Sequence, residues 1–404
     1  MGNKRPKWRM RLSCAMIALL LLAPGCWSAR EIEDLGIAVG TAVDIGEKTE
    51  LQRSLEEEGG NYSKKNVLTM TYQVVEPGGT AGAGKGQPGS QKKYRNISVT
   101  GDSLYELTRE ISLSRARPIF GQHHKVIVIS DKLARTYSLR QLLDFFMREQ
   151  EFRPSCRLFI SKGEARKTLE LKDTTEFPAM RLTGISDNQY RNSRLLPPMP
   201  LTKALHEINA SSSFLLQNLI TAEGEVKLAG AAVIYGKTGK LIGFLDEEEM
   251  EAVNWVTGDI KGGVVKSRHE RTGDVVVYEI TSVKSEIRSR IENGRIAFDI
   301  RIESEGRLGE QWSSENDNFE SRNLQQVEAD AAKQVEARIA KMLHKVQKEY
   351  RADVLLLGDY VRIHYPRMWT KWKKDWDDIF ADAEIRCYLT LKVKEFGTTS
   401  IKTK

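Results

Sequence analysis

The sequence predicts a multi-domain α+β protein, with an α/β N-terminal part and a C-terminal antiparallel sheet packed with a long helix. Three observations lead to this prediction. Apolar runs typical of buried strands alternate with amphipathic helical segments up to residue 161. Strand-like segments separated by glycine-bearing turns follow from residue 228, as in an antiparallel sheet. Apolar residues at helical spacing then run through residues 324–350.

The N-terminal part is expected to contain strands interleaved with helices. β-branched and apolar residues predict strands at residues 35–44, 66–76, 94–100, 126–130 and 157–161. Two amphipathic helices are expected among them, the first opening at Asp102-Ser103 and the second covering residues 138–147. This succession of strands and helices indicates an α/β arrangement.

From residue 227 the pattern changes to successive strands. They are expected at residues 228–235, 240–244, 263–266, 274–280, 283–290 and 295–303, with a final strand at 387–393. Asn293-Gly294 is a strong hairpin signal. The long helix is expected to lie across one face of this sheet.

Prolines at positions 197, 198 and 200 indicate a boundary, because proline continues neither a helix nor a central strand. Four segments are therefore expected: residues 1–25, a lipoprotein signal peptide; 26–184, an N-terminal α/β domain; 185–225, a linker or small middle domain; and 226–404, a C-terminal sheet-plus-helix domain.

The start of the chain has the three parts of a bacterial export signal. Five basic residues without an acid precede an uncharged apolar run at residues 12–23, which ends at Pro24-Gly25-Cys26. The run has about 12 residues, whereas a membrane-spanning helix needs about 20. Gly25 before Cys26 resembles the lipobox of bacterial lipoproteins, although Ala23 stands where that motif usually has Leu. The alternative is a plain secretory signal that is cut near Gly25.

The lipobox resemblance implies an S-diacylglycerol group and an N-acyl group on Cys26. Cys14 is a poorer candidate because most of the apolar run follows it. Two acyl chains hold a folded domain on a membrane, where one chain is marginal. We therefore expect the mature chain to be anchored to the membrane rather than to span it.

The charge of the chain excludes a general nucleic-acid-binding protein. The formal charge is +7, but five basic residues and no acidic residue belong to residues 1–25, so the mature chain carries only +2. Nucleic-acid binders need a concentrated basic patch rather than interspersed charges of both signs.

No motif predicts catalysis, a cofactor or a metal. The glycine-rich residues 77–90 partly match a phosphate-binding loop, but Gly86 stands where that loop has Ser or Thr, and a strand follows instead of a helix. A flexible hairpin loop is expected there. His123 and His124 lack a nearby Cys, Asp or Glu at ligand spacing, which favours a structural role.

Two further features allow alternatives. Cys156 and Cys387 could form one disulfide, but buried free thiols are favoured. Trp369, Trp372 and Trp376 have basic residues between them and could lie at a membrane interface. Docking of the indoles on the C-terminal sheet is favoured, since large aromatic side chains are usually buried.

Four blocks of sequence carry a family resemblance. They are Cys26-Trp27 with Arg30-Glu31-Ile32, Phe120-Gly121-Gln122-His123-His124-Lys125 with residues 142–154, residues 243–263 with Trp255-Val256-Thr257-Gly258-Asp259, and Gly358-Asp359-Tyr360 with Tyr365-Pro366, Trp369 and Trp376. Together, and in this order, they resemble the Ger(x)C family, the lipoprotein C subunits of GerA-type nutrient receptors in bacterial endospores. Ala23 and the glycine-rich insertion depart from the family pattern.

The resemblance implies a three-domain organisation and residence on the outer face of the inner spore membrane. It also implies association with integral-membrane A and B subunits and a role in the response to nutrients such as amino acids or sugars. The sequence is accordingly interpreted as a lipid-anchored, non-enzymatic subunit of a nutrient germinant receptor complex that is required for spore germination.

Two other functions each predict a feature that the sequence lacks. A solute-binding lipoprotein of a transporter would itself bind a small nutrient and should have two similar α/β lobes, but the two halves of this chain differ in pattern. A lipid-anchored hydrolase would need a catalytic motif, and none is found in the sequence.

Overall fold

Two β-sheets, joined by helices, make up the described part of the chain. The computed structural model describes residues 34–60, 67–76, 93–172, 176–270, 272–292, 294–312 and 321–395, together with residues 8, 16, 31 and 65. The multi-domain α+β fold predicted from the sequence is confirmed.

The larger sheet has nine strands. They are β1 (Gly36–Ile45), β2 (Leu68–Val75), β3 (Tyr94–Gly101), β4 (Ile119–Phe120), β5 (Val126–Ser130), β6 (Arg157–Ser161), β7 (Phe214–Ala222), β8 (Glu225–Tyr235) and β9 (Lys240–Leu245). Their order is β3-β2-β1-β5-β6-β7-β8-β9, and β4 pairs with β1. The central strands β1, β5, β6 and β7 run parallel, and antiparallel strands flank them on both sides.

Helices cover both faces of this sheet. They are α1 (Glu50–Glu57), α2 (Leu104–Glu110), α3 (Asp131–Thr136), α4 (Leu139–Arg148), α5 (Pro178–Ser186) and α6 (Leu201–Ala210). Ile127 and Ile129 of β5 pack into a core with α2, α3, α4 and α6, whereas Val126 and Val128 pack on the other side with α5. A parallel strand buried on both faces needs such a continuous apolar run.

The smaller sheet has four strands in the order β10-β11-β12-β13. They are β10 (Gly263–Arg268), β11 (Val275–Glu292), β12 (Arg295–Gln311) and β13 (Glu384–Glu395). Helix α8 (Ser321–His344), which continues as a π-helical turn at Lys345–Glu349, packs against this sheet through one apolar stripe. The stripe consists of Val327, Ala331, Val335, Ile339 and Met342.

Four more helices complete the described residues. Helix α7 (Glu247–Thr257) lies between the two sheets and packs on β8, β9, β11, β12 and α8. Helices α9 (Leu357–His364), α10 (Pro366–Trp372) and α11 (Trp376–Asp382) lead into β13.

Strand pairing differs from the sequence prediction in three places. The strands predicted at residues 228–235 and 240–244 exist, but β8 pairs with β7 and β9 with β8, so both belong to the larger sheet. The segments predicted as strands 274–280 and 283–290 form the single strand β11, whose register shifts between them. β13 runs parallel to β12, so the smaller sheet is mixed rather than antiparallel.

The residues predicted as a linker or small middle domain, 185–225, include helix α6 and strand β7, which belongs to the larger sheet. The four-segment division of the chain stays a prediction. The predicted glycine-rich hairpin loop, residues 77–90, lies outside the described residues.

Candidate functional site: the junction between the two sheets

The predicted lipid-attachment residue, Cys26, lies outside the described residues. Its modification therefore stays a prediction. The structure does place two of the sequence blocks that carry the family resemblance. Residues 243–263 and 358–376 both pack into the core around the smaller sheet, at the place where β9 and α7 bring the larger sheet against it.

Helix α7 begins and ends at signals that are visible in the sequence. Asp246 Oδ1 accepts a hydrogen bond from Glu249 N at 2.7 Å, and Glu249 Oε2 accepts one from Asp246 N at 2.9 Å, which completes a capping box. Gly258 ends the helix with a φ of 77°, a conformation that glycine adopts without strain. All residues between Glu249 and Val256 are buried, so α7 has protein on every side.

Glu251 of α7 is fully buried but has partners from two other parts of the chain. Arg338 of α8 donates to Glu251 Oε2 at 2.9 Å, and Arg194 Nε lies 3.4 Å from the same oxygen. Ser193 Oγ donates to Glu251 Oε1 at 2.6 Å. A buried carboxylate is tolerated only with such compensation. These contacts fix α7 to α8 and to the segment that precedes α6.

A second group of ion pairs lies at the start of α7. The side chain of Glu249 is 3% exposed and contacts Lys345 Nζ at 2.7 Å and Lys341 Nζ at 3.2 Å. Lys341 also donates to Asp246 at 2.8 Å. The hydrogen bonds to Asp246 and Glu249 raise the pKa of Lys341. Carboxylates at a helix N-terminus also interact favourably with the helix dipole. The ion pairs from α8 and from the turn after it therefore fix the N-terminus of α7.

Tyr350, directly after the π-helical turn, contacts the edge strand β9. Its hydroxyl donates to Phe244 O at 2.9 Å and accepts from Phe244 N at 3.1 Å. A Cβ on Gly243 would lie 2.4 Å from the Tyr350 ring. Glycine at position 243 thus leaves the space that the phenol ring occupies.

Asp353 organises the loop before α9. Its Oδ1 accepts from Leu355 N at 3.1 Å and Leu357 N at 3.2 Å, and its Oδ2 accepts from Gly358 N at 2.6 Å and Trp376 Nε1 at 2.8 Å. Burial raises the pKa of the Asp353 carboxyl, against the effect of these four hydrogen bonds. A Cβ on Gly358 would lie 2.7 Å from Trp376 Nε1. The buried indole of Trp376 agrees with docking on the protein core.

A cleft of about 310 Å³ opens beside this loop. Residues from the start of β7, from the β8–β9 turn and from α9–α11 line it, among them Ser211, Ser212, Ser213, Lys237, Trp369, Lys373 and Lys374. Lys237 forms an ion pair with Asp377 at 3.0 Å. Trp369 is half-buried and meets Trp376 edge to face, with ring centroids 5.5 Å apart.

Of the other titratable residues singled out in the sequence, His124 and Cys156 are buried, Cys387 is half-buried and His123 is exposed. His124 is buried against Phe152, with ring centroids 4.9 Å apart, and burial lowers its pKa to about 3. Cys156 and Cys387 are free thiols. Burial raises the pKa of Cys156, and it raises the pKa of Cys387 to about 12. Neither thiol has the thiolate character of a nucleophile at neutral pH.

The described residues offer neither a cluster of metal ligands nor a membrane-spanning helix. Within the described ranges, no three His, Cys, Asp or Glu side chains are grouped so that they could hold a metal ion. None of the described helices is both long enough and apolar enough to cross a membrane.

Sequence reasoning did not find the buried carboxylates Glu251 and Asp353. The acidic run at residues 246–249 begins helix α7, and Glu249 within it is buried in ion pairs. The sequence signal for the burial of Glu251 is its position between the apolar residues Met250 and Ala252. A helix with apolar residues on all sides is enclosed by protein.

Comparisons with known proteins identify the family. Residues 28–220 match the model of the spore germination protein N-terminal domain, and residues 229–397 match the spore germination B3/GerAC-like C-terminal model. Spore germination protein YndF of Bacillus subtilis (strain 168) is 41% identical over 406 aligned residues, which cover 99% of this chain and 100% of YndF. The chain belongs to the Ger(x)C family.

Other members of the Ger(x)C family match over nearly the whole chain. Spore germination protein B3 of Bacillus subtilis (strain 168) is 28% identical and covers 95% of this chain and 97% of its own length. The crystal structure of the GerBC protein superposes with a TM-score of 0.60 at 26% identity, and the match covers 82% of this chain and 96% of GerBC.

Proposed function

We propose that this protein is a lipid-anchored, non-enzymatic subunit of a nutrient germinant receptor complex and is required for spore germination. It would be held through an S-diacylglycerol and N-acylated Cys26 on the outer face of the inner spore membrane, beside integral-membrane A and B subunits. The carrying observation is the similarity to spore germination proteins over almost the entire chain, including 41% identity to YndF.

The architecture supports an interaction role. The buried charges of the junction, on Glu249, Glu251 and Asp353, are all compensated by hydrogen bonds or ion pairs within the protein. They stabilise the packing of the two sheets. Function by contact with partner subunits fits such an arrangement.

The structure does not support the alternative function, that of a solute-binding lipoprotein. That class is expected to have two similar α/β lobes. Here the larger sheet is mixed with a parallel centre, whereas the smaller sheet consists of a long hairpin with one strand on each side.

Substitution of the anchor residue tests the proposal. Cys26→Ala should remove the acyl groups, shift the protein from the membrane fraction to the soluble fraction of spores, and slow germination in nutrient. Cys14→Ala is the matched control, because it removes the other cysteine of the leader and should leave both properties unchanged.

The measurements are fractionation of spore lysates, mass spectrometry of the N-terminal peptide, and loss of optical density after nutrient addition. Retention of Cys26→Ala in the membrane fraction with a full nutrient response would overturn the lipid-anchored function.

A further inference from the structure

Strand directions in the larger sheet bring distant parts of the chain to the edge at which β1 begins. β5, β6 and β7 run parallel to β1, so they begin at this edge, while the antiparallel β2 ends and β3 begins there. β8 also ends at this edge, and its turn into β9 lies there. We call this boundary of the sheet the β1-start edge.

The proposed anchor is close to this edge in sequence. Gly36, the first residue of β1, follows Cys26 by ten positions, and a chain of that length reaches about 35 Å at most. β8 lies four strands from β1, which corresponds to about 19 Å across the sheet. A lipid on Cys26 therefore keeps the bilayer within reach of the whole β1-start edge.

One group of cations lies beside the start of β1. Gly36 N donates to Pro118 O at 2.9 Å, which places the turn before β4 at this edge. Leu113, the last residue of the 3₁₀-helix Ile111–Leu113 that precedes this turn, is 84% exposed, and Arg117 is exposed. Arg115 is half-buried, and its buried Nε has no hydrogen-bond partner among the described residues.

A second group of cations lies at the other end of the same edge. Lys373 and Lys374 line the cleft together with Ser213, which directly precedes β7, and Lys237 of the β8–β9 turn. Lys237 is neutralised by Asp377. Both Lys373 and Lys374 are exposed, and neither forms an ion pair within the described ranges.

We propose that the β1-start edge faces the membrane and binds anionic phospholipid headgroups through Arg115, Arg117, Lys373 and Lys374, with Leu113 entering the interface. The inference rests on the proposed anchoring at Cys26. Basic side chains are attracted to the negative charge of an anionic leaflet. An exposed apolar side chain among them strengthens binding because it becomes buried in the headgroup region. The carboxylates Glu31 and Asp34 precede β1 and oppose this attraction, so the four cations must outweigh them.

The test tethers the mature chain without the natural lipid, so that it does not depend on acylation. A hexahistidine tag replaces Cys26 and binds nickel-chelating lipid in vesicles of phosphatidylcholine, with or without phosphatidylglycerol. A fluorophore is attached at Leu113→Cys or, as a matched position, at Ile45→Cys at the other end of β1, about 30 Å away. Cys156 is buried, and Cys387 is half-buried with a pKa that burial raises to about 12, so both react with the label more slowly than an exposed thiol.

Quenching by nitroxide-labelled lipid reports contact with the bilayer. In vesicles with phosphatidylglycerol, we expect the label at 113 to be quenched and the label at 45 to remain unquenched. About 1 M NaCl, which shortens the Debye length to about 3 Å, should weaken the quenching.

Two charge variants distinguish an effect of the cations at the β1-start edge from an effect of the protein's net charge. One variant replaces the cations of the β1-start edge: Arg115→Gln, Arg117→Gln, Lys373→Gln and Lys374→Gln. The control removes four cations that lie near the opposite edge: Arg53→Gln, Lys65→Gln, Lys132→Gln and Lys172→Gln. The first variant should lose the quenching at position 113, and the control should keep it.

Equal quenching at both positions, or none at position 113, overturns the inference. The same holds if both charge variants behave alike. These outcomes are independent of the Cys26→Ala result, which alone decides the anchor.

Discussion

Replacement of Arg338 tests whether the buried charge on α7 stabilises the junction. The side chain of Glu251 is 0% exposed and that of Arg338 is 11% exposed. Arg338→Leu would leave the carboxylate with the Ser193 hydroxyl at 2.6 Å and Arg194 at 3.4 Å. Loss of one partner from a buried pair costs 3–5 kcal/mol, and because two partners remain we expect about 3 kcal/mol.

The assay is urea-induced unfolding of the mature chain, with the midpoint compared at constant slope. Arg148→Leu, which breaks the exposed pair with Asp144, is the control and should leave the midpoint unchanged. Glu251→Gln added to Arg338→Leu should recover part of the stability, because the amide needs no cation. If Arg338→Leu shifts the midpoint no more than Arg148→Leu does, the reasoning about buried charge at this junction is refuted.

Two more predictions concern backbone space and pH. Gly358→Ala places a Cβ 2.7 Å from Trp376 Nε1 and should cost about 2 kcal/mol in urea unfolding, whereas Gly184→Ala, with open space around it, should cost nothing; equal midpoints would contradict this. Burial raises the pKa of Asp44 from 3.8 to about 6, so the folded state binds that proton more tightly and stability should fall by up to about 3 kcal/mol as pH rises from about 4 to about 7. Asp44→Asn should abolish that fall, and an unchanged pH profile would contradict the assignment.

The existence of most strands and helices could be predicted from the sequence, but their neighbours could not. A continuous apolar run marks the strand at 228–235, and alternation of side chains marks the strand at 240–244. Alternation specifies faces and says nothing about which strand pairs at each edge. The β7–β8 turn at Glu223 and Gly224, both with positive φ, is what joins β8 to the larger sheet.

The same limit applies to the junction. Its capping box was readable because Asp246 and Glu249 are three residues apart. The burial of Glu251 depends on Arg338, which is 87 residues away along the chain. The requirement for glycine at position 243 depends on the ring of Tyr350, which is 107 positions later. Local pattern predicts local structure, whereas these partners are set by tertiary packing.

Helix α8 has a mechanical consequence for the relation between the two sheets. Its 24 residues extend for about 36 Å along the smaller sheet, and the turn that follows it ends with the phenol of Tyr350 seated over β9. Rotation of the smaller sheet would either break the contact between this ring and Phe244 or move β9 as well. A force that turned one sheet would therefore also move the other while this contact holds.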